Sequence, residues 1–466
     1  MKKCAACFCA LLLFVVVSAV PAQAAGFALP EEMSLTAAEV YLVNLDTGIV
    51  VYEKDADTPR SVASLTKMMT ALLLMEQVED LAGTPITAER SLFTGAIIEE
   101  GASTADIQPG ETMSALDMLY AMMLPSANEA AEAVGYYLSG GNLNNFYAMM
   151  NARAKELGCT NTNFVSTNGL VDMDEGNYST AHDLFLIAQE CWKHEIFRTV
   201  CGTTLYWMPI TDTPKHSTAQ YPDQNPNASY FITTTNRMIQ PSSEVYRSYI
   251  KGIKTGSTYA AGRNFVSAAV NDEGESFIAV VLGCPWDAAE DGYAYSFHDT
   301  AALYDWVFDN FSVRPALETD VPITEVKVNY SADVETLQLY PSSDMKTILP
   351  NDSEDLMEYT FDVPEEGVDA PLSQGDKVGT LTLSLSGQVI GTVDLVAGQD
   401  VSRSLFLYGL ALVKKALTST YVKVVAVLTV LFFSGYGFLF WYVNKKEAER
   451  RAKRRGGPRK GGPRNV

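Results

Sequence analysis

Two short runs rich in β-branched and aromatic residues, Glu39–Leu45 and Ile49–Glu53, flank Asp46-Thr47-Gly48 and predict a β-hairpin. From Ser64 the period changes. Leu65, Met68, Met69, Leu72 and Leu73 follow the i, i+3, i+4, i+7, i+8 spacing of one helical face. Ser114-Ala-Leu-Asp117 has the form of a capping box and predicts a helix through Leu124, stopped by Pro125. Further helices are expected over Asn128–Leu138 and over Leu143–Leu157, the second closed by Gly158. Past Lys254 the pattern predicts strands at Asn264–Val270 and Ser276–Gly283 around a polar turn, then a helix at Thr300–Asn310. Strands before and after a helical middle indicate an α+β domain rather than βαβ repetition.

Around residue 313 short alternating runs take over: Glu325–Tyr330, Glu335–Tyr340, Met357–Val363, Lys377–Leu385 and Gln388–Val396. Leu381, Leu383 and Leu385 share one face while Thr382 and Ser384 share the other, and Ser386-Gly387 supplies a turn. Residues 313–402 therefore read as a small all-β domain following a main domain at 25–312.

The ends read as targeting segments. Lys2-Lys3, the apolar Leu11–Val20 and the small-residue site Ala22-Gln23-Ala24 make residues 1–24 a secretory signal peptide. Val424–Val443 is a stretch without charge, long enough at 1.5 Å per residue to span a hydrocarbon layer of about 30 Å. Its Trp441-Tyr442 end and the basic residues 444–466 predict a single-pass helix with a cytoplasmic tail. Residues 403–423, rich in Leu and Phe, read as an amphipathic juxtamembrane segment. The body is thus expected outside the cytoplasm, tethered to the membrane.

Charge sharpens this picture. Of the net −22, the tail from 445 contributes ten Lys/Arg against two Glu, and Lys2-Lys3 add two more positive charges, leaving about −32 on residues 25–444. A body so acidic repels phosphate backbones, which disfavours nucleic acid as its partner. Four cysteines lie beyond the signal segment (Cys159, Cys191, Cys201, Cys284), without CxxC spacing. They read as small buried hydrophobes, with a Cys191–Cys201 disulfide left open.

The chemistry begins at Ser64-Leu65-Thr66-Lys67. One helical turn separates the hydroxyl from the amine, so Lys67 can reach Ser64. A serine is a weak nucleophile until a neighbour takes its proton, and lysine can do so only when burial or a second cation lowers its proton affinity. Ser126-Ala127-Asn128 follows a helix end, and Lys254-Thr255-Gly256 opens an expected strand. There Lys and Thr can receive a carboxylate, and Gly allows a close backbone approach. Each motif alone is weak; the three in this order form the set known from serine β-lactamases and penicillin-binding proteins.

The likeness extends further. VASLTKMMTALL (62–73), LPSANEAAEAV (124–134), KELGCTNTNFVSTNGL (155–170), YSTAHDL (178–184) and GIKTGSTYAAGRNF (252–265) resemble the D-alanyl-D-alanine carboxypeptidases among the low-molecular-mass penicillin-binding proteins. Residues 315–400 are similar to that family's C-terminal β domain. The resemblance implies Ser64 as acyl-ester nucleophile, Lys67 as its base, and Ser126 and Asn128 in proton transfer and substrate positioning. It implies Lys254, Thr255 and Gly256 at the substrate's carboxylate end, with the main-chain N–H groups of Ser64 and Ser257 as oxyanion hole. The expected substrates are peptidoglycan stem peptides ending in D-Ala-D-Ala, β-lactams are the expected covalent inhibitors, and neither cofactor nor metal is called for. Ser257 departs from the His or bulkier residue of many relatives, which bears on pocket shape.

Competing readings are few. No G-x-S-x-G elbow accompanies the four histidines (His182, His194, His216, His298), and Arg198 stands where a zinc-peptidase helix starting at His194-Glu195 needs its second His. The E-x-x-L-N segment of a class A β-lactamase is absent; Asn168-Gly169-Leu170 and Glu175-Gly-Asn-Tyr follow instead. Endopeptidase or transpeptidase action shares the acyl-enzyme, and a non-catalytic wall-binding protein is the alternative of a different class.

Overall fold

The computed structural model describes residues 27–97, 99, 101–286, 295–351, 357–385 and 388–455. The signal segment, residues 456–466 of the basic tail and the Ser386-Gly387 turn lie outside them. The chain divides into two compact units: residues up to Leu317 with Asp344–Thr360 and Thr382–Thr392, and Glu318–Ser343 with Phe361–Leu381 and the chain from Val393 onward.

The first unit is organised by a five-stranded antiparallel sheet. Its strands are β1 (Glu39–Asn44), β2 (Val50–Lys54), β3 (Ile250–Thr258), β4 (Gly262–Val270) and β5 (Ser276–Cys284), in the order β2-β1-β5-β4-β3. The hairpin at 39–54 forms as its sequence predicts, and β1 then pairs with β5 from the far end of the domain, Val40 opposite Val281. Both faces of the sheet are apolar. Tyr41, Val43, Val266, Ala268, Ile278, Val280 and Leu282 enter one core, and Val40, Leu42, Phe265, Ala269, Phe277, Ala279 and Val281 enter the other. That is why these strands read as near-continuous apolar runs although they are antiparallel: each face is covered, so alternation is lost.

Helices cover the first face: α1 (Lys67–Gln77), α2 (Ala115–Met123), α3 (Asn128–Leu138), α4 (Leu143–Glu156), α5 (Ala181–Lys193) and α6 (Glu195–Cys201); α7 (Tyr295–Asn310) covers the second. The Ser114 capping box forms, its hydroxyl accepting from the Asp117 N–H while the Asp117 carboxylate accepts from the Ser114 N–H. One-sided periodicity predicts an amphipathic α1, yet every residue from Lys67 to Met75 is buried. The helix runs through the centre of the core, so its polar-looking positions (Lys67, Thr70) face protein instead of water. Sequence reasoning does not find α5 and α6. α5 is capped by the Thr180 hydroxyl, which accepts from the Asp183 N–H, in the S/T-x-x-D pattern that predicted α2.

The second unit carries the all-β part. Thr324–Asn329 pairs antiparallel with Thr336–Pro341, which pairs in turn with the end of Gln388–Ala397, Leu339 opposite Ala397. Val326, Val328, Leu337, Leu339 and Leu395 are buried, as the alternation predicts. Two helices follow, α8 (Leu405–Thr418) and α9 (Thr420–Arg455). Thr420–Lys453 is long and apolar enough to cross a membrane, and no residue of its most apolar stretch is buried in the protein. The helical stretch therefore continues past the charge-free 424–443 into the first basic residues of the tail.

Candidate active site

Ser64 sits on a 3-10 turn, Ala63–Thr66, that leads directly into α1. The residue before it, Ala63, is held at φ 49°, a left-handed conformation that costs a non-glycine residue about 1–2 kcal/mol. The turn aims Ser64 into a cleft and leaves Lys67 at the first position of α1. Lys67 Nζ lies 2.9 Å from Ser64 Oγ, 2.8 Å from Asn128 Oδ1 and 2.9 Å from the Asn168 carbonyl oxygen. The spacing S-x-x-K thus places amine and hydroxyl together.

Asn128 is the first residue of α3, its N–H donating to the Ser103 carbonyl. Ser126, two residues earlier, is buried and also left-handed (φ 67°), and its hydroxyl has no hydrogen-bond partner among the described residues. Strain of this kind persists only where the surroundings over-determine it. Lys254 lies fifth in β3 rather than at a strand start, because β3 already begins at Ile250. Lys254 is buried, its Nζ donating to the Thr255 carbonyl, while the Thr255 and Thr235 hydroxyls are 2.6 Å apart. A Cβ on Gly256 would stand 2.9 Å from the Val62 carbonyl oxygen and 3.1 Å from the Leu65 nitrogen. Glycine is what lets β3 lie against the turn that carries Ser64.

Ser64, Ser126, Thr255, Gly256 and Ser257 line one cleft of about 210 Å³, together with Ser103, Thr235, Arg237, Arg263 and Asn264. Lys67, Asn128 and Lys254 stand behind its wall. All eight residues singled out from sequence therefore converge on one place. None of the four histidines lines it; His216 is buried elsewhere, Nδ1 3.1 Å from Glu111. The four cysteines are buried free thiols.

Electrostatics follow from burial. Desolvation, then the neighbouring charge of Lys254, push the proton affinity of Lys67 well below that of an ordinary lysine, while Glu129 and Glu132 oppose them. Burial likewise brings Lys254 down to about 7. Burial raises both Glu129 and Glu132 above the usual carboxylate range.

The contact that sequence reasoning cannot find is Asn168. Its part is a main-chain carbonyl, which any residue type would provide. The segment carrying it shows a trace in Gly169, at φ +82°, where a Cβ would lie 1.9 Å from the Ala63 carbonyl oxygen.

The hydrogen-bonded Ser64–Lys67 pair, set in this fold, has the geometry that a lysine-assisted serine hydrolase requires. The profile of the D-alanyl-D-alanine carboxypeptidase family matches residues 27–285, and that of the penicillin-binding protein 5 C-terminal domain matches residues 311–403. This chain belongs to the D-alanyl-D-alanine carboxypeptidase family. It is 27% identical over 377 residues to the D-alanyl-D-alanine carboxypeptidase DacF of Bacillus subtilis, covering 81% of this chain and 88% of that one. Its fold is similar to that of the D-alanyl-D-alanine carboxypeptidase DacD from Francisella tularensis (TM-score 0.62, 23% identity, 82% of this chain and 98% of that one). It is also similar to the Streptomyces K15 DD-transpeptidase (TM-score 0.51, 28% identity, 59% and 98%).

Proposed function

We propose that this serine D-Ala-D-Ala carboxypeptidase removes the terminal D-alanine from peptidoglycan stem peptides through an acyl-enzyme on Ser64. The observation that carries the mechanism is the set of three partners around Lys67. A neutral amine has two N–H donors and one lone pair. Asn128 Oδ1 and the Asn168 carbonyl can only accept, so they take the two N–H groups, and the lone pair is left facing the one partner with a proton to give, Ser64 Oγ–H. Burial and Lys254 favour that neutral form.

Ser64 Oγ attacks the carbonyl of the penultimate D-alanine as its proton passes to Lys67. The oxyanion is met by the main-chain N–H groups of Ser64 and Ser257, and each such donor contributes about 2.7–4 kcal/mol to the transition state. The C–N bond breaks, the departing D-alanine amine takes up the proton by way of Ser126, and water then hydrolyses the ester. Asn128 orients the substrate, while Lys254 and Thr255 receive its free carboxylate. A β-lactam presents an equivalent amide and carboxylate and acylates the same hydroxyl. The domain boundaries near 312 and 402 read as catalytic domain, β spacer and anchor. The apolar α9 with its basic end supports an enzyme held outside the cytoplasm with a cytoplasmic C-terminus.

The test is release of free D-alanine from a peptide ending in D-Ala-D-Ala, compared with Ser64→Ala. Equal release by the variant would refute the nucleophile. Similarity to a DD-transpeptidase favours a second reading, transfer of the acyl group to an amine; cross-linked product from purified wall fragments distinguishes it.

A further inference from the structure

We propose that Glu132 is a positioning residue for acyl transfer. Its carboxylate reaches from α3 to the side chains of Thr167 and Asn168 and holds the Asn168 carbonyl against Lys67. This inference rests on the acyl-enzyme reading above and adds a residue that the three motifs do not contain.

Asn128 and Glu132 stand one turn apart on α3, so they point to the same side of the helix. Asn128 touches Lys67 directly. Glu132 does so through the chain: its Oε2 accepts from the Thr167 hydroxyl and, at 3.5 Å, from Asn168 Nδ2. Thr167 is pinned from the other side by α1, where the Thr70 hydroxyl donates to its carbonyl at 2.6 Å. The next carbonyl, that of Asn168, is the one Lys67 meets. Ser166 Oγ accepts from the Gly169 N–H, and Asn168 Oδ1 accepts from the Leu170 N–H, closing the segment on itself. Residues 166–170 thus form a strut between α3 and the base, and Glu132 is its charged foot.

Charge gives the same residue a second effect. The charged groups acting on Lys67 are Lys254 on β3 and Glu129 and Glu132 on α3; Tyr147 of α4 faces Glu132 in turn. Glu129 is committed elsewhere, accepting from the Thr104 hydroxyl and the Ala105 N–H. Glu132 can therefore be altered without disturbing that segment. Its negative charge favours the ammonium form of Lys67, so it trades some of the base's availability for a fixed geometry.

Two variants separate the effects. Glu132→Gln keeps an oxygen for the Thr167 hydroxyl but removes the charge; Glu132→Ala removes both. The rate of Ser64 acylation by a fluorescent penicillin is measured against pH on the full chain in detergent. In Glu132→Gln the acid limb of the profile is expected to move to lower pH by roughly half a unit or more. In Glu132→Ala the plateau is expected to fall about tenfold. An unchanged plateau in Glu132→Ala overturns the proposal, and so does an acid limb unmoved in Glu132→Gln, because a merely structural residue would leave the limb in place. Failure of the acyl-enzyme reading would show separately, as labelling that persists in Ser64→Ala.

Discussion

Gly169 and Ala63 are pressed together so closely that a single methyl group at 169 would lie 1.9 Å from the Ala63 carbonyl oxygen. The segment that brings Asn168 to Lys67 therefore rests on the turn that carries Ser64, and the two cannot move independently.

Gly169→Ala must shift one of them. The left-handed φ of +82° adds strain to the clash. Acylation by a labelled penicillin is expected to drop at least about a hundredfold, with far-UV circular dichroism retained. An acylation rate within threefold of wild type would show that the contact does not matter.

Lys67→Arg keeps a cation but removes the base, because a guanidinium does not lose its proton in proteins. The acylation rate should fall by about 10²–10⁴, the range for a lost general base, and it should not recover on raising pH to 10. Wild type should acylate well at neutral pH, because burial and Lys254 lower the proton affinity of Lys67.

Lys254 costs stability. Its proton affinity is depressed from the ordinary 10.5 to about 7 in the folded chain, so between pH 7 and 10.5 the unfolded state binds more protons. Stability from this group therefore rises with pH across that window, and the full penalty is present below about 7. Lys254→Met should be more stable than wild type at pH 6–7 and lose the advantage toward pH 10.5, as read from urea midpoints, while losing activity. A constant difference across that range would contradict the burial account.

Ser114 tests the fold apart from the chemistry. Ser114→Ala removes the cap of α2 and should cost about 0.5–2 kcal/mol in a urea titration. Penicillin acylation of the folded variant should be unchanged, since neither Ser114 nor Asp117 lines the cleft.

Much of this protein is written locally. The hairpin at 39–54, the capping box at 114–117, the alternation in 377–385 and the apolar run at 424–443 all rest on short-range rules, and each appears where the pattern places it. S-x-x-K belongs with them, since one turn of chain suffices to bring Lys67 to Ser64. Other features needed the whole fold. Lys67 meets Asn128 across 61 residues and Asn168 across 101, the second through a main-chain oxygen that no side chain announces. α1 reads as one-sided and is buried all round, because what surrounds a helix is supplied by other parts of the chain. The same holds for the proton affinities of Lys67 and Lys254: residue type names the groups, but only packing removes the water that would keep them charged. Sequence alone thus determined most of the side chains that converge on the cleft and their order along the chain. Tertiary structure decided their desolvation and convergence, because both depend on contacts between segments far apart in sequence.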